Sequence, residues 1–188
     1  RTAKVREVLQ SVGYDKISIN DYGIVKQHPN LYLDLSSVAK GFGVDVISQR
    51  LTDLGFHSHL VEIGGELRAR GLKPNRKSWL IGVEKPMPGR TVHSLVALEG
   101  KAIATSGDYR NFLETKTGRV AHTISPKTGR PVKSNLVSVT VLAEECMKAD
   151  ALATAFMVMG EHQAQDFAAK NEIAAMFIVK SVTGLVTI

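Results

Sequence analysis

The sequence predicts an α+β fold in which a largely antiparallel or mixed β-sheet is flanked by helices. Strand-like segments outnumber helical ones, several are joined by short turns, and there is no internal repeat or long linker. The 188 residues and the 44% hydrophobic fraction suit one sizeable globular core. We therefore expect residues 1–188 to form a single domain.

Apolar residues at helical spacing predict the helices of this fold. The predicted helices are an opening one that ends near Gly13, and three others at about 37–54, 147–159 and 162–170. The second of these has two glycines in its early turns, Gly41 and Gly43. Glycine is a poor helix former, so this pair suggests that another part of the molecule approaches these turns closely.

Alternating and β-branched segments predict the strands. The predicted strands are 16–20, 31–35, two pieces of 59–70 around Gly64 and Gly65, 79–84, 94–98, 101–105, 120–124, 136–143, 174–179 and 185–188. We expect 94–98 and 101–105 to pair as a hairpin about Glu99 and Gly100. The last two strands should form a terminal hairpin around Thr183 and Gly184.

Composition narrows the class of partner. The net charge of +6 favours anionic partners, but the basic residues are scattered and only 6% of residues are aromatic, so we predict no nucleic-acid partner. Cys146 is the single cysteine, which excludes an internal disulfide and a multi-cysteine metal cage. No apolar run approaches the roughly 18 residues of a membrane-spanning helix.

Asp150 and Thr154 are the most informative pair. Four residues apart on a helix, they lie on one face, and their neighbours are small or apolar, which is typical of a buried helix. A buried carboxylate needs a cation or several donors. Asp150 therefore either meets a metal ion, caps another element or pairs with a basic residue inside the fold. Oxygen ligands without soft donors would suit Mg²⁺ or Ca²⁺ rather than zinc.

A second group of polar residues surrounds the start of the predicted helix 37–54. Asp34 ends a predicted strand, Ser36 and Ser37 open the helix, and Lys40 lies in its first turn. A serine at this position is usually an N-cap, and we favour that interpretation. Lysine opposes the helix dipole there, unless an anion docks on the helix N-terminus.

Two further segments have both a structural and a functional interpretation. The run Thr105-Ser106-Gly107-Asp108-Tyr109-Arg110 is either a plain turn or a nest for phosphate oxygens with Arg110 as an anion partner. His122, in a short strand before a turn rich in proline and glycine, is either a packed core residue or a general base.

Seven segments, taken in order, resemble the ApbE family of FAD:protein FMN transferases. They are D-L-S-S-V-A-K-G, V-E-I-G-G-E-L-R-A-R-G, W-L-I-G-V-E-K-P, A-T-S-G-D-Y-R-N, H-T-I-S-P-K-T-G-R-P-V, S-V-T-V-L-A and A-D-A-L-A-T-A. The similarity runs from about Ile19 to the C-terminus. Each segment alone is weak, but their order and spacing are far more specific.

The resemblance implies an activity. The family cleaves the pyrophosphate of FAD with Mg²⁺ and moves FMN onto a threonine hydroxyl of a target flavoprotein, while AMP leaves. Targets in the family include flavin-carrying subunits of redox-driven ion pumps. Two alternatives stay open: a Mg²⁺-dependent FAD pyrophosphatase that releases FMN and AMP, and a non-catalytic FAD-binding module.

The resemblance also implies roles for individual residues. The metal ligands would be Ser37, Asp150 and Thr154, the catalytic base would be His122, and the FAD contacts would be Asp34, Lys40 and Ile124, with Ser106, Gly107 and Arg110 lining the site. Two features depart from the family pattern. The N-terminal part of the family fold is missing from this sequence, so we expect residues 1–188 to form the C-terminal major part of that fold and to bind FAD weakly or not at all on their own. In addition, Ser125 stands where an aspartate usually precedes the proline. If that aspartate assists the metal or the base, we expect lower activity here.

The beginning of the chain bears on its location. The chain starts with Arg1 and enters a helical pattern at once, so we expect a fragment or a processed form. Members of the family that the chain resembles are typically extracytoplasmic. We therefore expect a periplasmic protein, and attachment to the inner membrane through a lipid anchor upstream of Arg1 stays open.

Overall fold

The computed structural model describes residues 2–87, 89, 91–107, 112–115, 118–121 and 123–188. The helices are α1 (Thr2–Leu9), α2 (Ala39–Asp53), α3 (Cys146–Met159) and α4 (Glu161–Lys170), with a 3-10 turn at Tyr14–Lys16. The strands are β1 (Ile17–Asn20), β2 (Gly23–Lys26), β3 (His59–Ile63), β4 (Glu66–Arg70), β5 (Trp79–Glu84), β6 (Val92–Leu98), β7 (Ala102–Gly107), β8 (Phe112–Thr115), β9 (Gly118–Ala121), β10 (Leu136–Ala143), β11 (Ala175–Ser181) and β12 (Gly184–Thr187).

A six-stranded sheet in the order β12-β11-β10-β7-β4-β3 forms the centre of the molecule. Every strand pair among the described residues is antiparallel. Helices α2 and α3 pack against each other and against this sheet. The predicted α+β class, with an antiparallel sheet flanked by helices, is confirmed.

The β3, β4 and β7 part of the sheet is buried on both faces. Neighbouring residues along a strand point in opposite directions. Val61 and Ala102 point towards the helices, where they pack with Val44 of α2 and with Cys146. Their neighbours Leu60 and Ile103 point the other way and pack against the β5–β6 ribbon. The molecule therefore has three layers: helices, central sheet and ribbon.

The predicted hairpin of 94–98 with 101–105 is wrong. Strand β6 pairs with β5, whereas β7 pairs with β4 and β10 in the central sheet. Ala102, Ile103 and Ala104 are all buried, which suits an interior strand covered on both faces. The turn at Gly100 (φ 75°) therefore carries the chain from the ribbon to the sheet instead of back along β6.

The predicted strand 31–35 is also absent. In its place, the Lys26 ammonium binds the carbonyl oxygens of Pro29 and Leu31. The Asp34 carboxylate then accepts the backbone N–H of Ser36 at 2.8 Å, which turns the chain towards α2. Local polar contacts thus replace the strand pairing that the apolar alternation predicted.

The predicted strand 120–124 is shorter than expected. Strand β9 ends at Ala121, and Ile124 makes an isolated bridge with Pro131. Among the described helices, none combines the length and the apolar character needed to cross a membrane.

Candidate functional site

The site is built where the first turn of α2 meets the middle of α3. The N-terminus of α2 follows a turn at residues 36–38, and its N-cap residue Val38 provides no side-chain hydrogen bond. The backbone N–H of Gly41 donates instead to Oδ2 of Asp150, at 3.0 Å. Asp150 lies 109 residues further along the chain. A carboxylate on α3 therefore caps α2.

Asp150 is also paired with a lysine. It is 4% exposed, and its Oδ1 lies 3.4 Å from Nζ of Lys40. Of the interpretations that the sequence left open for Asp150, the structure shows two: a cap on another helix and a pair with a basic residue. The metal-ligand interpretation stays a prediction, because the structure carries no ligand.

Glu66, which sequence reasoning missed, is the second carboxylate of this site. Its Oε1 lies 2.9 Å from Nζ of Lys40, and its side chain is almost wholly buried at the start of β4. Oε2 is buried and has no hydrogen-bond partner among the described residues. The sequence signal for Glu66 was the motif Gly64-Gly65-Glu66, because the two-glycine turn between β3 and β4 keeps the acid that follows it close to neighbouring segments.

Burial and neighbouring charges shift the pKa values of two of these groups, Lys40 and Glu66. Burial lowers the pKa of the Lys40 ammonium, but Glu66 and Asp150 outweigh burial, so the pKa lies above its ordinary value. Burial also raises the pKa of Glu66, against the lowering effect of Lys40. Lys40 therefore stays a cation at neutral pH, and it holds two buried carboxylates to one point.

Close approach of the two helices makes this arrangement possible. A Cβ atom at Gly41 would lie 2.4 Å from the carbonyl oxygen of Cys146 and 2.7 Å from Cα of Met147. Only glycine fits there, so the predicted close approach at Gly41 is confirmed. At Gly43 a Cβ atom would meet only the tip of the Ile63 side chain, at 3.1 Å.

Asp45 of α2 returns the contact by capping α3. Its two carboxylate oxygens accept the backbone N–H groups of Cys146 and Met147, at 3.0 and 2.9 Å. Arg68 of β4 forms an ion pair with the same carboxylate. Each helix thus caps the other, and Asp45 is a second residue that sequence reasoning missed. No local sequence signal marks it, because its partners are 101 and 102 residues away.

Cys146 is fully buried next to the contact between α2 and α3. Burial, followed by the charges of Asp45, Glu66 and Asp150, raises the pKa of its thiol to about 12. A helix N-terminus alone would lower it, so burial and the carboxylates dominate here. The thiol is inaccessible and protonated, and the interpretation of Cys146 as a small core residue is confirmed.

A cavity of about 830 Å³ opens beside Lys40, between the central sheet and the β5–β6 ribbon. Lys40, Ser106 and Gly107, all predicted as FAD contacts, line it together with Glu66. The other lining residues are Leu60, Glu62, Gly64, Gly65, Leu67, Leu80, Ile81, Gly82, Val83, Glu84, Ile103 and Thr105. The described lining thus combines the Lys40 ammonium and the buried Glu66 carboxylate with apolar residues of the ribbon and sheet.

Two of the other predicted FAD contacts, Asp34 and Ile124, lie outside the described lining of the cavity. Asp34 is exposed, and its hydrogen bond from the backbone N–H of Ser36 lowers the pKa of its carboxyl below the ordinary value. Ile124 is exposed in the turn after β9. Arg110 and the predicted base His122 lie outside the described residues.

Ser37 and Thr154 flank the Asp150 contact without bonding to it. Ser37 is half-buried in the turn before α2, and Thr154 is half-buried one helical turn after Asp150 on α3. No hydrogen bond among the described residues joins either hydroxyl to Asp150. That Asp150 and Thr154 lie within metal-ligand distance of one point near the start of α2 stays a prediction.

The donor set of this region fits Mg²⁺. No group of three or more histidine, cysteine or acidic side chains with metal-site geometry occurs among the described residues. Mg²⁺ requires only one or two carboxylates and completes its shell with water and substrate phosphate. Asp150 Oδ1, whose only described partner is an ammonium at 3.4 Å, is the oxygen available to such an ion.

Comparisons with known proteins agree on one family. The model of the ApbE family matches residues 1–177. A Vibrio cholerae FAD:protein FMN transferase is 45% identical over 173 residues, which cover 92% of this chain and 52% of the relative. A Haemophilus influenzae protein of the same name is 43% identical over 182 residues, which cover 94% of this chain and 53% of the relative.

The fold agrees with a solved structure as well. The apo form of the Pseudomonas stutzeri flavinyl transferase ApbE superimposes with a TM-score of 0.90 and 38% identity, and the match covers 100% of this chain and 58% of that one. The chain spans about half the length of the curated relatives it matches.

Proposed function

The chain belongs to the ApbE family, and we propose that it acts in the Mg²⁺-dependent transfer of FMN from FAD to a threonine hydroxyl of a target flavoprotein. The observation that carries the proposal is Lys40. Its ammonium stands at the N-terminus of α2, beside a cavity of about 830 Å³ and between two buried carboxylates. The names of the relatives support FAD as the donor.

The proposed reaction is a phosphoryl transfer. The threonine oxygen forms a bond to the phosphorus of the FMN half, the bond from that phosphorus to the bridging oxygen breaks, and AMP leaves with this oxygen. The hydroxyl proton passes to a base, for which the resemblance suggests His122. When bound, Mg²⁺ supplies positive charge to the pyrophosphate oxygens.

The chain's own groups would divide the remaining tasks. Asp150, with Thr154 and Ser37 nearby, would hold the metal. Lys40 and the positive end of α2 would bind a pyrophosphate oxygen and stabilise the charge that develops on it. For the target, we propose a flavin-carrying subunit of a redox-driven ion pump, a partner that rests on the family resemblance alone.

Covalent labelling of a target tests this proposal. The natural full-length protein, incubated with FAD, Mg²⁺ and a target that carries the acceptor threonine, should yield a fluorescent target heavier by one FMN. Chelation of Mg²⁺ should abolish the label, and so should replacement of the acceptor threonine by valine in the target.

The same assay separates the alternatives. FMN and AMP released without any acceptor, with an unlabelled target, would identify a pyrophosphatase instead. FAD binding without turnover, whether or not Mg²⁺ is present, would identify a binding module and refute the proposal.

A further inference from the structure

Glu66 has one carboxylate oxygen that the protein itself does not use. Oε1 holds Lys40 at 2.9 Å, whereas Oε2 is buried without a hydrogen-bond partner among the described residues. The side chain is 97% buried and belongs to the lining of the cavity. The turn at Gly64 lies beside this group, since a Cβ atom built on Gly64 would be 3.6 Å from Oε2.

An unpaired buried oxygen of this kind is unusual. More than about 90% of buried polar groups in folded proteins are hydrogen-bonded, because a buried group without a partner loses the hydrogen bonds it makes to water. If Glu66 served only to tie β4 to α2, Oε1 alone would complete that role. Glu66 also belongs to the lining of the cavity, so a donor for its buried Oε2 can arrive with a ligand.

The charged residues that line the cavity indicate which chemical group of a ligand would lie near Glu66. Three glutamates, Glu62, Glu66 and Glu84, line the cavity, and Lys40 is the one cation among its described lining residues. Lys40 would bind an anionic group of a ligand, whereas Glu66, 2.9 Å from Lys40, repels phosphate and accepts hydrogen bonds from hydroxyl and N–H groups. A ligand that presents a phosphate to Lys40 and a neighbouring donor to Glu66 therefore suits this wall.

We propose that Glu66 is a ligand-binding residue of this site, which holds Lys40 through Oε1 and accepts a hydrogen bond through Oε2 from a hydroxyl or N–H group of the molecule in the cavity. The inference rests on the proposed function in taking that molecule to be FAD, whose sugar hydroxyls and ring N–H group are such donors. Glu66 then links two tasks, because one carboxylate positions the phosphate-binding lysine and reads the donor groups of the flavin nucleotide.

The test is the substitution Glu66→Gln in the natural full-length protein. Glutamine keeps the size but offers a single acceptor oxygen, so Lys40 and the ligand cannot both be satisfied. The dissociation constant for FAD, measured by quenching of flavin fluorescence, should rise about 10-fold or more. The matched control is Glu144→Gln, which alters an exposed Lys101–Glu144 pair outside the cavity and should leave the constant unchanged.

A second ligand distinguishes a hydrogen bond between Glu66 and FAD from an effect of Glu66 on the position of Lys40 alone. Inorganic sulfate carries negative charge that Lys40 binds but has no donor group at pH 8. Glu66→Gln should therefore weaken FAD binding more than it weakens sulfate binding. Equal weakening of both would show that Glu66 only positions Lys40, and it would overturn the acceptor role.

The remaining outcomes are equally decisive. Unchanged FAD affinity in a folded Glu66→Gln protein overturns the inference and leaves the proposed function standing. Absence of FAD binding in the unsubstituted protein overturns both. If the glutamine variant does not fold, Glu66→Asp replaces it, since its shorter carboxylate keeps the charge but cannot reach Lys40 and the ligand together.

Discussion

The N-termini of α2 and α3 are capped in the same way, but only one of them is open to a ligand. At α3, both oxygens of Asp45 accept backbone N–H groups, and Arg68 neutralises the carboxylate. At α2, Asp150 accepts one backbone N–H group, and its second oxygen has a lysine at 3.4 Å. The first carboxylate is fully used by the fold, whereas the second retains bonding capacity.

The difference follows from what surrounds each helix end. At the α3 end Cys146 has no exposed surface, but Met147 is 37% exposed, so the bonds of Asp45, not burial, complete this helix end. The α2 end faces the cavity through Lys40, whose side chain is 42% exposed, and through Glu66. A buried acid alone therefore does not identify a functional site in this molecule. The informative features are an unused oxygen and an adjoining space.

The largest expected effect breaks both caps together. Gly41→Ala places a methyl group 2.4 Å from the carbonyl oxygen of Cys146, so the helices must separate. We expect a loss of about 3 kcal/mol in the free energy of unfolding. The matched control Gly43→Ala meets only a flexible side-chain tip, and it should change the free energy by at most about 1 kcal/mol. Urea unfolding measures both, and equal losses would contradict the close-approach argument.

An intermediate effect is expected when each of the two capping aspartates is replaced by asparagine in turn. Asp45→Asn leaves one N–H group of α3 without an acceptor and weakens the Arg68 pair, so stability should fall by about 2 kcal/mol. Asp150→Asn retains an acceptor for Gly41, and Lys40 keeps Glu66, so stability should fall by about 1 kcal/mol. Cation binding should show the opposite order.

Titration with Mn²⁺ as a Mg²⁺ analogue measures that order. Asp150→Asn should weaken binding strongly, whereas Asp45→Asn should leave it unchanged. A comparable loss of cation affinity in both variants would show that the division between a structural and a ligand-binding helix end is mistaken.

The last effect is absent at neutral pH and concerns alkaline stability at the α3 end. The pKa of Cys146 is about 12 in the folded chain against an ordinary 9.0, so above pH 9.0 the unfolded chain releases a proton that the folded chain retains. Unfolding is then favoured, and this thiol removes about 1.4 kcal/mol of stability per pH unit between the two values. Below pH 9.0 it contributes nothing.

Comparison with Cys146→Ala isolates this contribution from that of other groups. The difference in the free energy of unfolding between the two proteins should be constant below pH 9.0 and should shift in favour of the alanine variant above it. A difference that stays constant up to pH 11 would refute the raised pKa.

Local pattern predicted most of the elements but not all of their partners. Strands β5 and β10 were predicted at their observed bounds, because runs such as Leu136–Ala143 carry β-branched residues throughout. The pairing of β6 and β7 was mispredicted, since a turn at Glu99 and Gly100 does not reveal whether the chain folds back or passes to another sheet. Pairing depends on the burial of both faces, which periodicity alone does not show.

In the candidate site, too, local sequence predicted some residues and missed others. Lys40 and Asp150 were identified because each is unusual where it stands: a lysine in a first helical turn and an acid on an apolar helix. Glu66 and Asp45 were missed because each looks ordinary in its own segment. Their significance arises only from contacts with residues that the fold brings together from distant parts of the chain.

The reciprocal caps have a consequence for how the protein folds. Neither helix has a side-chain cap from its own flanking residues, and the caps that exist join positions 101 to 109 residues apart. Each helix start is thus completed only when the chain between them, with β3 to β10, has assembled. Contacts of such long range slow folding, and they make the docking of α2 on α3 a late, cooperative event. A nascent or partly unfolded chain therefore lacks the Lys40–Asp150 pair, and the binding chemistry appears only together with the finished fold.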